Sequence, residues 1–257
     1  MRTVNCCMLL ALVLCCGAAC AADAGMGLPN AFFAMDTGTI DDTHKTAQAQ
    51  ADMIAELGYA GIGITGVKNL DDMLAALDAH DLDLFAVYLP VKIGAETPYE
   101  PAVDAALAKL DGRNTLLWLS ISHTDLDASD PAGDDAALDL IGHLADLGKP
   151  HGVRVALYPH VNCWLERVED AVRLCEKSAR DNVGLSFNQY HWQRQDDPQR
   201  MVVCMAEAVS YMYVATVNGS EQEASILTLD QGGFDVYRFV VALHDLGFDG
   251  PIGLQGY

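Results

Sequence analysis

Between residues 154 and 192 the chain reads as a strand, a helix and a second strand, and this unit restricts the fold more than any other stretch. Arg154–Leu157 is a short apolar run suited to a strand buried on both faces. Trp164, Val168, Ala171, Val172 and Cys175 then recur at offsets of four, seven, eight and eleven, one stripe of a helix. Val183–Phe187 is a second buried run. Strands joined through a helix lie parallel, and the loops leaving their carboxyl ends share one face, where active sites collect. Tyr158, Pro159 and His160 follow the first strand and Asn188, His191 and Trp192 the second, so these residues are expected to converge.

The same alternation runs through the chain from Asn30. Further strands are expected at Ala31–Met35, Tyr59–Ile64, Leu84–Leu89, Thr115–Ile121, Tyr211–Val217 and Ile252–Leu254. Gly61 and Gly63 allow neighbours to approach the second of these closely. Helices are expected from an Asp42 cap to Leu57, from an Asn69 cap to His80, over Glu100–Leu110, and over Gly133–Leu147 with Gly148 and Pro150 as the stop. Two more run from Pro198 to Val209 behind an Asp197 cap and over Phe234–Leu246, closed by Gly247. Eight strands alternating with seven helices predict an α/β fold, a (β/α)₈ TIM barrel of eight parallel strands with its last outer helix missing. The groove between the first and seventh helices then lacks its usual cover. Truncation of a longer chain, a partner, or the amino-terminal segment would each account for this, and a homo-oligomer is one expected consequence.

At 257 residues the chain suits one such barrel, over residues 23–257, with no linker to divide it. Fifteen basic against 36 acidic residues give a formal net charge of −21. That speaks against a nucleic-acid partner, because phosphate binding rests on Lys and Arg. Residues 1–22 carry one basic side chain, Arg2, an apolar run from Cys6 to Cys16 and the small residues Ala19, Cys20 and Ala21. The run is shorter than the roughly 20 residues a bilayer span needs. It reads as a secretory signal peptide removed near Ala22, giving an exported protein, periplasmic or extracellular, without a membrane span in the mature chain. A lipoprotein anchor on Cys20 is the competing reading, although Gly17 stands where Leu would be usual. Five of the eight cysteines lie in that segment; Cys163, Cys175 and Cys204 remain, without CxxC spacing, and read as buried small hydrophobes.

Chemistry can be sought at the strand ends. Asp36, Lys92, His123, Tyr158, His160, Asn188, His191, Asn218 and Gln255 stand at or just beyond seven of the eight. Singly, each has a plain structural role, a His as a hydrogen-bond donor or an Asn as a turn residue; their shared face makes them a candidate set. The string GYAGIGITG places its glycines before and within a strand, so it reads as structural rather than as a phosphate loop. The acidic runs Asp125–Asp135 and Asp196-Asp197 lack EF-hand spacing and read as solvated loops.

KTAQAQADMIAELGYAGI over the first helix and second strand, VALYPH, NVGLSFNQYHW, and FDGPIGLQGY at the end occur in the order of one family. From Asp36 to Gln255 the chain resembles the xylose-isomerase-like TIM barrels, the superfamily of sugar phosphate isomerases and epimerases. The resemblance implies a divalent metal (Mn²⁺, Zn²⁺ or Mg²⁺) held by acidic residues at the ends of strands five, six and eight and by a His on strand seven. It also implies two strand-end Glu residues that move a proton beside a sugar carbonyl. Carried over by position, these fall on Tyr158, Asn188 and Gln255, and on Thr216 or Asn218, while the accessory histidines are His160 and His191. Asp to Asn and Glu to Gln keep shape but remove the negative charge a hard cation needs. No metal ligand and no cofactor is therefore assigned.

What remains is a mouth rich in amides, histidines and aromatics. Proton transfer falls to His160 or His191, with Lys92 or Asp36 assisting, because histidine titrates in the right range. Asp36, His123, Tyr158, Asn188, Trp192, Asn218 and Gln255 are the expected substrate contacts, Trp192 either stacking on the sugar or bracing its loop. The expected partner is a small carbohydrate. The expected reaction is isomerisation or epimerisation by proton abstraction beside a carbonyl, with a keto-sugar lyase or a non-catalytic carbohydrate-binding barrel as alternatives.

Overall fold

The structure, a computed structural model, describes residues 28–221 and 225–256; the expected signal peptide, with Cys20, lies outside the described residues. Eight strands pair in parallel in sequence order: β1 (Phe32–Met35), β2 (Gly61–Thr65), β3 (Asp83–Ile93), β4 (Leu116–His123), β5 (Arg154–Leu157), β6 (Val183–Asn188), β7 (Met212–Val217) and β8 (Ile252–Leu254). β8 closes the ring on β1, Phe33 opposite Gly253, so the fold is the (β/α)₈ barrel read from the alternation. The described helices are α1 (Ala47–Glu56), α2 (Leu70–Asp78), α3 (Ala102–Leu107), α4 (Asp134–Gly148), α5 (Val168–Ser178), a short α6 (Gln189–Gln193), α7 (Met201–Ala208) and α8 (Val236–Asp245). None of them is long and apolar enough to cross a membrane.

The strands are apolar on both faces because each face has its own core. Ile54, Leu77, Leu107, Ile141, Leu174, Met205 and Phe239 bring one buried side chain from each of the seven outer helices against the outside of the barrel. Phe33, Met35, Leu116, Trp118, Tyr158 and Val214 fill the lumen. The lumen is thus plugged with rings below the level where the loops leave, and only the mouth is left for a ligand.

Several boundaries depart from the sequence reading for identifiable reasons. β3, expected over Leu84–Leu89 with Pro90 just past its end, runs to Ile93 beside β4, with Lys92 opposite Ser122. β2 accompanies it only as far as Tyr88, so the amide hydrogen that Pro90 lacks would have had no strand to meet. α1 is capped by Thr46, whose hydroxyl accepts the Ala49 N–H, rather than by Asp42. Asn69 precedes α2 without a side-chain cap, and α2 ends at Asp78. Gly148 continues α4 instead of stopping it; the left-handed residue that ends the following turn is Gly152. Trp164 lies ahead of α5, buried over Gly133 with its indole N–H donated to the Asp130 carbonyl. Cys175 and Cys204 are buried and Cys163 half-buried, all as free thiols.

Gly61 is required by the β2–β3 pairing, since a Cβ there would lie 2.0 Å from the Asp83 carbonyl oxygen of the neighbouring strand. Gly61→Ala is expected to lower the urea-unfolding free energy by about 3 kcal/mol, the upper end of ordinary overpacking costs. Gly58→Ala, at a left-handed residue facing open space, is expected to lose only about 1 kcal/mol.

Candidate active site

Asn188, the last residue of β6, stands at the centre of the mouth and is 2% exposed. Its Oδ1 accepts the His191 N–H at 2.9 Å, which caps α6 and fixes which end of the amide is nitrogen. Its Nδ2 then faces three oxygens: Tyr158 Oη at 3.0 Å, Thr216 Oγ1 at 2.7 Å and Gln255 Oε1 at 2.9 Å. These come from the ends of β5, β7 and β8. Gln255 is itself anchored by its backbone N–H to the Val217 carbonyl.

The cap on α6 delivers His191 to His160. Their rings stack with centroids 3.8 Å apart, and both meet the Tyr158 ring nearly edge-on, at 5.5 Å for His160 and 5.4 Å for His191. His160 donates its Nδ1–H to the Val161 carbonyl at 2.7 Å, because a carbonyl can only accept; Nε2 therefore carries the lone pair in the neutral ring. Burial holds His160 below the ordinary histidine value, against the raising effect of that bond. His191 is buried, and neither ring nitrogen has a hydrogen-bond partner among the described residues. Burial pushes it down to about 2, with repulsion from His160 and Arg194 in the same direction. Both imidazoles are neutral at neutral pH.

In front of this pair lies a pocket of about 140 Å³ lined by Met35, Thr37, Thr65, Tyr88, Trp118, Tyr158, His160 and Gln255. Trp118 packs on Tyr158 with centroids 4.3 Å apart, while Tyr88 stands at 84° to Tyr158. Its volume is below the roughly 300 Å³ at which drug-sized sites begin, so it admits only a small molecule. Among the described residues no Lys or Arg lines it.

The remaining candidates are placed around this group. Asp36 is turned to Thr65, accepting its backbone N–H at 2.7 Å and its hydroxyl at 2.9 Å, and so ties the end of β1 to that of β2. His123 uses Nδ1 to accept the N–H groups of Asp125 and Leu126 in its own loop. Lys92 is exposed and outside the pocket. Trp192 faces the outer core, packed on Phe187 at 5.7 Å, and so braces rather than lines the mouth. Asn218 is fully buried; its Oδ1 accepts the Ser220 N–H, and its Nδ2 has no hydrogen-bond partner among the described residues. Sequence reasoning passed over Met35, Thr37, Thr65, Tyr88 and Trp118. Tyr88 and Trp118 were accessible to it, since they fall opposite each other at lumen-facing positions of β3 and β4.

Tyr158, Asn188, Thr216 and Gln255, the residues that the resemblance carries over to the metal positions, do not fit a divalent cation. They offer a phenol, two amides and a hydroxyl, without a carboxylate or imidazole, and a nitrogen bearing hydrogens occupies the middle of them. Elsewhere among the described residues, Glu169, Asp196 and Cys204 bring three ligand atoms together. There Arg200 pairs with Asp196 at 2.7 Å, and burial pushes the Cys204 thiol up to about 11, so the cation and the proton already present compensate these groups.

A sequence model of the xylose isomerase-like TIM barrels matches residues 51–256, and the chain belongs to that family. It is 21% identical over 131 residues to the inosose isomerase of Bacillus subtilis (strain 168), a match spanning 47% of this chain and 46% of that protein. The chain therefore matches about half the length of this curated relative. Among solved structures, the 3-keto-D-glucoside 4-epimerase of E. coli superposes with a TM-score of 0.68 at 13% identity, covering 88% of this chain and 92% of that one. The D-allulose 3-epimerase of a Methylomonas species, in complex with D-allulose, gives 0.67 at 14% identity over 89% and 84%.

Two outcomes follow from this geometry. In the unfolded chain His191 returns to its ordinary value of 6.5, so below pH 6.5 the unfolded state holds a proton the native state does not, and stability falls as pH drops through that value. His191→Phe is expected to reduce the slope of unfolding free energy against pH just below 6.5 by up to about 1.4 kcal/mol per pH unit, read by urea titration at several pH values. The double variant Asn188→Asp, Gln255→Glu is expected to retain Mn²⁺ or Zn²⁺ after dialysis, by elemental analysis, in excess over the parent chain; no gain would overturn the positional match of these residues to the family's ligands.

Proposed function

We propose that the barrel mouth acts on a small carbohydrate by proton transfer beside its carbonyl, without a metal and with His160 as the base. The observation that carries this reading is His160 on the wall of the pocket, with Nδ1–H given to the Val161 carbonyl so that the lone pair of the neutral ring is left on Nε2. Around it, Thr37 and Thr65, whose hydroxyl protons go to the Gly256 carbonyl and to Asp36, offer oxygens that accept from sugar hydroxyls, and the Gln255 amide is the donor for negative charge developing on the carbonyl oxygen. Tyr88, Trp118 and Tyr158 supply apolar ring surface. Family membership and the sugar isomerase and epimerases named above support the reaction class. His191, stacked behind His160, orients it. Lys92 is given no role, and a lyase reaction would begin with the same proton abstraction. The expected signal peptide makes an exported enzyme part of the proposal.

A carbohydrate-binding barrel without chemistry is a second reading, favoured by the small pocket and by the closed set of hydrogen bonds around Asn188. Exchange of the hydrogen beside the carbonyl into D₂O, followed by NMR over a panel of free sugars, separates the two. The parent chain is expected to catalyse exchange and His160→Gln to lose it by about 100-fold or more, the usual worth of a general base. The rate should fall as pH drops through a value below 6.5, where His160 gains its proton. Tight binding of a sugar with no exchange would establish the second reading.

A further inference from the structure

The stereochemical course can be read from where the base stands, given the catalytic reading above. Inverting a carbon beside a carbonyl removes a proton from one face and returns it to the other, so it needs proton-transfer groups on two sides of the substrate. Moving the carbonyl to the adjacent carbon through a cis-enediol needs one group on one side.

His160 follows β5 and His191 lies in α6 after β6, and their stacking at 3.8 Å puts both on one wall. In a ring of eight strands β1 stands opposite β5. The β1–β2 side of the pocket offers Met35, Thr37 and Thr65, a thioether and two hydroxyls. The carboxylate on that side, Asp36, has both oxygens engaged by Thr65. The rest of the described lining is two phenols, an indole, the His160 imidazole and one amide, so His160 is the one imidazole or carboxylate among these lining residues. Among the described residues that line the pocket, none is a Lys or Arg that could receive a phosphate.

We propose that the mouth is a one-base site that shifts the carbonyl of an unphosphorylated hydroxy-carbonyl sugar to the adjacent carbon and does not epimerise it. His160 Nε2 takes the proton from the hydroxyl-bearing carbon beside the carbonyl. The C–H electron pair forms the C=C bond of a cis-enediolate as the carbonyl π pair moves to its oxygen. The proton of the neighbouring hydroxyl passes to that oxygen, and the second oxygen becomes the new carbonyl. As it does so, the C=C pair takes the proton back from His160 on to the former carbonyl carbon, on the same face. Atoms and charge are conserved without any co-reactant.

The test uses the full chain in H₂O with free aldoses of three to six carbons deuterated at C2, D-glucose and D-xylose among them, and product analysis by NMR. The expected product is the ketose, with part of the deuterium at C1, since one base carries the label between adjacent carbons before it exchanges. The C2 epimer as first product, with solvent hydrogen at C2, would overturn the one-base assignment and leave the catalytic reading standing. Loss of no label from any sugar would overturn both. The His160→Gln variant is expected to abolish ketose formation, and unchanged label transfer in it would overturn His160 as the carrier.

Discussion

A single amide nitrogen organises the mouth of this barrel. Asn188 Nδ2 gathers oxygens from β5, β7 and β8 within 3.0 Å, so four neighbouring strand ends are tied by neutral hydrogen bonds. Each such bond contributes only about 1 kcal/mol net, yet leaving any partner unsatisfied in this buried place would cost more. A carboxylate at the same point would be a buried charge in need of a cation; the amide meets the same three oxygens without one. The other end of the same amide caps α6, which places His191, which stacks on His160. The placement of both histidines therefore depends on the two ends of one amide.

Charge is arranged consistently with this. The chain carries a formal net charge of −21, while the pocket is lined by neutral groups only and its two histidines are held neutral by burial. A field of that sign repels anionic sugars and leaves uncharged ones unaffected.

The barrel was legible in the sequence because its strands are apolar on both faces and its helices carry one stripe, so the alternation of periods survives without any structure. The convergence of Tyr158, His160, Asn188, His191 and Gln255 was legible for the same reason: strand-end residues of parallel strands must share a face. What was not legible depended on how far a partner strand extends or which way a side chain turns. Pro90 looked like a stop because the sequence does not say that β2 ends at Tyr88. Trp192 and His191 are adjacent on one turn of helix, and only the packing of Phe187 sends the indole to the core and the imidazole to the mouth. Asp36 was spent on Thr65, a partner 29 residues away that no local pattern names.

The stretch of β3 beyond Tyr88 has one neighbour instead of two, which makes it a natural template for intermolecular strand addition. The backbone groups it would offer on that side belong to Pro90 and Lys92. Pro90 has no hydrogen to give, the Lys92 N–H is taken by the Pro98 carbonyl, and the Lys92 side chain puts a solvated charge in the path. An overhang that lengthens the rim of the mouth is thereby kept from recruiting a second molecule.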